Sequence, residues 1–121
     1  MQTLPNYANH TLDELKAVVY QHMLKQGTYA HDEGTCWYLI NGNKCGLGLF
    51  IPDSLYHPDM ESEGGWWQNP LRDALEKLGL TSPEKLKFLR EMQKLHDNHA
   101  SYGAPFSRYL KALEMYQTSP D

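Results

Sequence analysis

The sequence is short of several things that would point to a function. It has no excess of basic residues: 11 Lys and Arg stand against 15 Asp and Glu, for a formal charge of −4. A dedicated nucleic-acid binder carries a basic footprint, so no strong nucleic-acid signal is present. The acidic excess is also too mild and too mixed in sign for a DNA mimic. No apolar run approaches the length needed to cross a bilayer, and the N-terminal MQTLPNYANH lacks a signal-peptide pattern. A soluble, cytoplasmic protein with no membrane association is therefore expected. There is no internal repeat, low-complexity tract or interdomain linker, and 121 residues suffice for one domain over the whole chain, 1–121, but not comfortably for two.

Cysteine is scarce as well. The chain has two, Cys36 and Cys45, and in a reducing compartment such a pair serves as thiols or ligands before it serves as a disulfide. Eight residues separate them, so the tight Cys knuckle of a structural zinc site is missing, although His31 and His57 flank the segment. Gly46-Leu47-Gly48 has no helix starting after it and is not a dinucleotide fingerprint. The acids at Asp53, Asp59, Glu61 and Glu63 lack EF-hand spacing. No metal, no cofactor and no catalytic set is assigned.

What is present is a core. Apolar residues make up 40% of the chain, with eight Tyr and three Trp, which excludes a disordered polypeptide. Four stretches read as helices. In the first, Thr11 and Glu14 form a capping box, Leu12, Leu15, Val18, Val19 and Met23 fall on one stripe, and Gly27 stands at the C-terminal cap. The second starts at Asn69-Pro70 and stops at Gly79. The third starts at Ser82-Pro83, with Leu86, Leu89, Met92, Leu95 and His96 on one face, and Asp97 and Asn98 helping to end it. The fourth carries Phe106, Tyr109, Leu110, Leu113 and Tyr116 at helical spacing.

Between the first two lies CWYLINGNKCGLGLFIPDSLY. Residues 37–40 and 44–51 read as two strands around an Asn41-Gly42 turn. The fold class expected is α+β, a single domain of about four helices packed around a β-hairpin. With a two-residue turn, Cys36 lies diagonal to Cys45 at about 7–8 Å, too far for a relaxed disulfide, and a three-residue turn moves it to the opposite face. Packed thiols are the favoured reading. Gly46 and Gly48 weaken a strand, so they mark a close approach by a backbone, a ring or a ligand. The loop over 53–68 mixes acids with Tyr56, Trp66 and Trp67, residue types that dominate binding hot spots. His96-Asp97-Asn98-His99 is the densest polar cluster. Its His-Asp doublet invites comparison with HD-type metal phosphohydrolases, but those enzymes need a later Asp from a further helix, for which Asp121 is a poor substitute, and a helix end where His96 packs is favoured.

Across the middle of the chain the sequence resembles a family of small proteins encoded by phages and prophages. The pattern is Cys-x-Tyr, a Gly-containing turn, Lys-Cys-x-x-Gly-x-Leu-Ile-Pro-Asp-x-x-Tyr, an acidic Met-Glu segment, and Leu-Gln-x-x-His-Asp. The matching residues are Cys36, Tyr38, Gly42, Lys44, Cys45, Gly48, Ile51, Pro52, Asp53, Tyr56, Met60 and Glu61, with Met92-Gln93-Lys94-Leu95-His96-Asp97 for the later element. Phe50 stands where the pattern has Leu. The resemblance implies a phage-derived protein acting in the cytoplasm of a bacterial host cell, where such proteins bind and neutralise host factors.

The leading expectation is thus a non-catalytic phage-type binding protein that inhibits a host protein, such as a component of a defence system. A second is a small-molecule or nucleotide-signal binder, with Gly46 and Gly48 giving close approach and Tyr38, Trp37 or His96 around the ligand. A third is a cysteine- or metal-dependent hydrolase using Cys45 and His96. The partner- or ligand-binding candidates are Tyr38, Gly46, Gly48, Tyr56, Trp66, Trp67, His96 and Asp97. A homodimer is compatible with each reading.

Overall fold

The computed structural model describes residues 5–32, 35–36, 39–40, 42–52, 54–56 and 71–118. Four helices pack together: α1 (Leu12–Gln26), α2 (Leu71–Lys77), α3 (Pro83–Ser101) and α4 (Phe106–Met115). Helix α4 lies against both α1 and α3, and α1 also touches α3.

The helix ends follow from local chemistry. The Thr11 hydroxyl accepts from the Glu14 N–H at 3.1 Å, and the Glu14 carboxylate accepts from the Thr11 N–H at 2.8 Å. Gly27, with φ +77°, closes α1 by donating to the Met23 carbonyl. Ser82 caps α3, with Pro83 in its first turn. The α1 stripe buries Leu15, Val19 and Met23, while Leu12 and Val18 pack at its margin. Helix α3 buries Phe88, Leu89, Met92, His96 and Ala100, and α4 buries Tyr109 and Leu113. The expected caps of α2 at Asn69 and Pro70 lie outside the described residues.

Helix α2 ends in a Schellman arrangement: Leu80 N–H reaches the Leu75 carbonyl at 2.9 Å and Gly79 N–H the Glu76 carbonyl at 3.1 Å. A Cβ on Gly79 would stand 2.6 Å from Asn6 Oδ1 and 2.8 Å from Ala8 N, so the N-terminal segment packs directly over this corner. Tyr7 ties it there, donating its N–H to the Leu78 carbonyl at 2.8 Å and setting its ring edge-on to Phe50.

The expected β-hairpin at the centre of the fold needs correction. Among the described residues the strands are four two-residue pieces, β1 (His31–Asp32), β2 (Thr35–Cys36), β3 (Leu39–Ile40) and β4 (Asn43–Lys44), paired antiparallel as β1–β2 and β3–β4. Beyond Lys44 no return strand runs to Ile51. The chain coils instead into a 3-10 turn over Gly48–Phe50, with Leu49 N–H bonded to the Cys45 carbonyl and Ile51 N–H to the Gly48 carbonyl. The reason lies in the apolar residues. Cys45, Leu47, Phe50 and Ile51 are all buried, a set that includes both parities of the sequence. A ribbon with one wet face cannot bury both, whereas a coiled segment can. Gly46 and Gly48 therefore do not share a strand face.

The end of α3 is a second correction. Asp97 and Asn98 do not stop the helix; it runs to Ser101. Gly103, at φ +67°, ends it, with Ala104 N–H on the His99 carbonyl at 3.0 Å and Gly103 N–H on the Ala100 carbonyl at 3.1 Å. No described helix is long and apolar enough to cross a membrane.

Candidate functional site

His96 sits at the centre of the most polar part of the core, and it is the one buried polar or charged side chain among the described residues. Helix α3 carries it inward on the same stripe as Leu89 and Met92. Its Nε2 lies 3.0 Å from the Ala30 backbone nitrogen, and its Nδ1 lies 2.9 Å from Asp97 Oδ1. A backbone N–H can only donate, so Nε2 offers its lone pair and the ring proton is on Nδ1, where it is donated to the carboxylate. The Asp97 side chain is one-third exposed.

Aromatic rings enclose this histidine. Tyr29 and Tyr109 meet it edge-on at 5.5 Å and 5.7 Å, and Tyr109 is tilted against Phe106 and His99. The Tyr29 hydroxyl donates to the Ala104 carbonyl at 2.8 Å. The Tyr109 hydroxyl is buried and makes no hydrogen bond. Burial drives its phenol well above the ordinary tyrosine range, and the neighbouring Cys45, Tyr29 and Asp97 push the same way.

This arrangement commits the groups that chemistry would need. Both nitrogens of His96 are engaged, leaving no lone pair for a metal ion or for the Cys45 thiol. His99 Nδ1 donates to the Leu95 carbonyl at 2.8 Å, so the two histidines point to different partners despite being one turn apart. Among the described residues no group of three or more His, Cys, Asp and Glu gathers as a metal site. Cys45 is buried, and its sulfur accepts the Gly48 N–H at 3.2 Å.

Gly46 marks a close approach, and its partner is the main chain of α3. A Cβ there would stand 2.4 Å from the Met92 carbonyl oxygen. The glycine lets the coiled segment lie directly on the helix backbone. Gly48 opens the 3-10 turn and is buried. Tyr56 is half-buried against the core, its N–H bonded to the Pro52 carbonyl at 3.2 Å. Thus Gly46, Gly48, His96 and Asp97 belong to the packed interior or its margin, and Tyr56 stands at the start of the acidic segment. Tyr38, Trp66 and Trp67 lie outside the described residues, as do Asp53, Asp59, Glu61 and Glu63.

Among the described residues, surface grooves lie beside α1 and beside α3. One, of about 490 Å³, runs between α1 and α4 and is lined by Asp13, Lys16, Ala17, Tyr20, Gln21 and Glu114. Its cation is already committed, since Lys16 Nζ donates to the Glu114 and Tyr116 carbonyls at 2.9 Å and 2.5 Å and caps the C-terminus of α4. The other, of about 550 Å³, lies between the first turns of α3 and the chain after α4, with Phe88, Glu91 and Tyr116 on its walls.

Sequence reasoning missed three participants. Tyr29 and Tyr109 surround His96, and only the position of Tyr109 on the α4 stripe hinted at burial. Gln26, the last residue of α1, carries a network described below, and nothing in its sequence neighbourhood signals it. No protein-family model, curated protein or solved structure matches the chain.

Proposed function

We propose that this is a phage-type protein that binds and inhibits a host protein, such as a defence component, without catalysis, acting in the bacterial cytoplasm. One observation carries the reading: the His96 ring is spent on the Ala30 N–H and the Asp97 carboxylate. The side chain that the hydrolase reading relied upon therefore serves as a pin between α3 and the chain after α1. The Met92 main chain against Gly46 likewise fills the space where a small ligand would have approached. What remains for recognition is surface, and the richest candidate is the segment that begins at Tyr56 and contains Trp66 and Trp67. Aromatic anchors with acids around them suit a basic patch on a partner protein.

The test is capture of a host protein by the full chain, followed by affinity measurement on the purified pair. Trp66→Ala with Trp67→Ala abolishes binding while the circular dichroism spectrum and melting temperature survive. Binding that persists in the double variant sinks the assignment to this segment. Cys45→Ser that retains biological activity removes the thiol-enzyme alternative.

A further inference from the structure

One chain of hydrogen bonds links helix α1 to the turn at Tyr56. It begins with the side chain of Gln26. The pairing Ile40↔Asn43 and Leu39↔Lys44 makes Ile40–Asn43 the pair next to residues 41 and 42. In an antiparallel ladder hydrogen-bonded and non-bonded pairs alternate, so the next pair turns the N–H and C=O of Lys44 outward. Those two outward groups are taken up by one amide: Lys44 N–H donates to Gln26 Oε1 at 2.8 Å, and Gln26 Nε2 donates to the Lys44 carbonyl at 3.0 Å. A primary amide carries the same donor and acceptor as a peptide unit, so Gln26 stands in for a neighbouring strand.

The amide is itself held. His22 Nε2 lies 2.9 Å from Gln26 Oε1, which can only accept, so the histidine donates there. Gln26 Nε2 also reaches the Thr28 carbonyl at 2.6 Å. From Lys44 the chain continues through its own side chain, whose Nζ donates to the Ile51 carbonyl at 3.1 Å. Ile51 precedes Pro52, and the Pro52 carbonyl accepts the N–H groups of Leu55 and Tyr56 at 2.9 Å and 3.2 Å. Lys44 is thus held at its backbone by α1 and holds, by its ammonium, the residue before the Tyr56 turn.

We propose that Gln26 and Lys44 form a two-step latch that fixes where the Tyr56 turn leaves the helical frame, and that both are positioning residues for partner recognition. The recognition part of this inference rests on the proposed function; the latch itself does not. Each step has its own signature in backbone amide exchange, because each bond guards a different set of amides. Gln26→Met keeps the stem and removes both bonds to the Lys44 backbone. It speeds exchange at Lys44, Leu55 and Tyr56 by on the order of tenfold. Lys44→Met leaves the Gln26 bonds in place and removes only the ammonium, so Leu55 and Tyr56 speed up while residue 44 stays protected.

The experiment is residue-resolved amide exchange on the wild-type chain and both variants, followed by partner affinity. The expected result is protection of Lys44 in the wild type, the split pattern in the variants, and affinity lowered about tenfold in each through faster dissociation. An unprotected Lys44 amide in the wild type, or Leu55 and Tyr56 amides indifferent to both substitutions, overturns the latch. If Gln26→Met fails to fold, Lys44→Met, which keeps the Gln26 bonds to the backbone of residue 44, decides by the same criterion. Exchange that splits as expected with unchanged affinity leaves the latch standing but overturns its role in recognition. Failure of the Trp66 and Trp67 test alone overturns the assignment of the binding segment instead.

Discussion

The helical frame and the segment over residues 30–52 satisfy their backbones in opposite ways. Helices α1, α2 and α3 close their own hydrogen bonds and take caps from within a few residues, Thr11 and Gly27 on α1, Gly79 on α2, Ser82 and Gly103 on α3; only the C-terminus of α4 is capped from afar, by Lys16. The segment over 30–52 borrows. Among its described residues the ladders are two residues long, and two of its main-chain sites turn to helix side chains: Lys44 to Gln26, 18 positions away, and Ala30 to His96, 66 positions away. Self-contained elements tolerate loss of a neighbour by losing burial energy. A borrowing element loses its hydrogen bonds too, so its stability is set by side chains outside it.

The largest effect falls on the frame. Leu89→Ala, at a site with no solvent exposure, costs about 2–5 kcal/mol and lowers the denaturant midpoint with all probes moving together. Gly46→Ala tests the junction of the two regions. Its new methyl meets the Met92 carbonyl, which is main chain and cannot swing aside, so the cost is about 1–3 kcal/mol and the amides over 44–51 lose protection before those of α1. A Gly46→Ala variant as stable as the wild type would break the comparison.

His96→Leu probes borrowing directly. It keeps an apolar side chain of similar reach but leaves the Ala30 N–H buried and unpaired, at about 1–3 kcal/mol, with early exchange at Ala30 as the local sign. Thr11→Ala, in the self-contained region, costs about 1 kcal/mol. The capping bonds from Thr11 hold the Glu14 carboxyl below the usual range. The stability this contributes is present above the unfolded-state pKa of Glu14 and is lost as pH falls through the depressed folded value. Thr11→Ala keeps the main-chain N–H that holds the carboxylate and loses the hydroxyl that accepts the Glu14 N–H, so the thermal melts of wild type and variant both fall in acid and stay separated.

The smallest effect is at Tyr109. Tyr109→Phe removes a buried hydroxyl that makes no hydrogen bond, so the variant is as stable as the wild type or slightly more so at neutral pH. Because burial raises this phenol, its contribution is intact below the ordinary tyrosine pKa and is lost as pH rises from there toward the folded value. Alkaline unfolding of the Phe variant accordingly begins at higher pH, which a spectrophotometric titration reads directly.

What was legible in the sequence divides along the same line. The capping box at Thr11 and Glu14, Gly27, Ser82-Pro83 and Gly79 announced helix ends because their partners lie within a few residues. The stripes of α1, α3 and α4 were legible for the same reason. The expected hairpin failed beyond Lys44 because period-two alternation was read where apolar residues of both parities are buried. His96 was seen to pack, but its partner Ala30 is remote and offers only a main-chain N–H, which carries no sequence signal. The tautomer of His96 and the clamp by Gln26 were invisible for that reason. Asp97 and Asn98 carry helix-ending chemistry in sequence, yet the stop is Gly103, whose left-handed conformation sets the boundary.

Lys16 on the first helix caps the last one, and Thr118 is hydrogen-bonded to Asp13. Helix α1 thus completes its packing only once α4, about ninety residues further on, has been made. Closing so long a loop costs entropy before any contact repays it, so assembly is slow for a protein whose elements are mostly local helices. On a ribosome α1 can meet α3 first, but its apolar stripe is fully covered only when α4 emerges. The same adjacency makes the two ends of the frame natural points to join, and a permuted chain opened elsewhere would bring α1 and α4 together first.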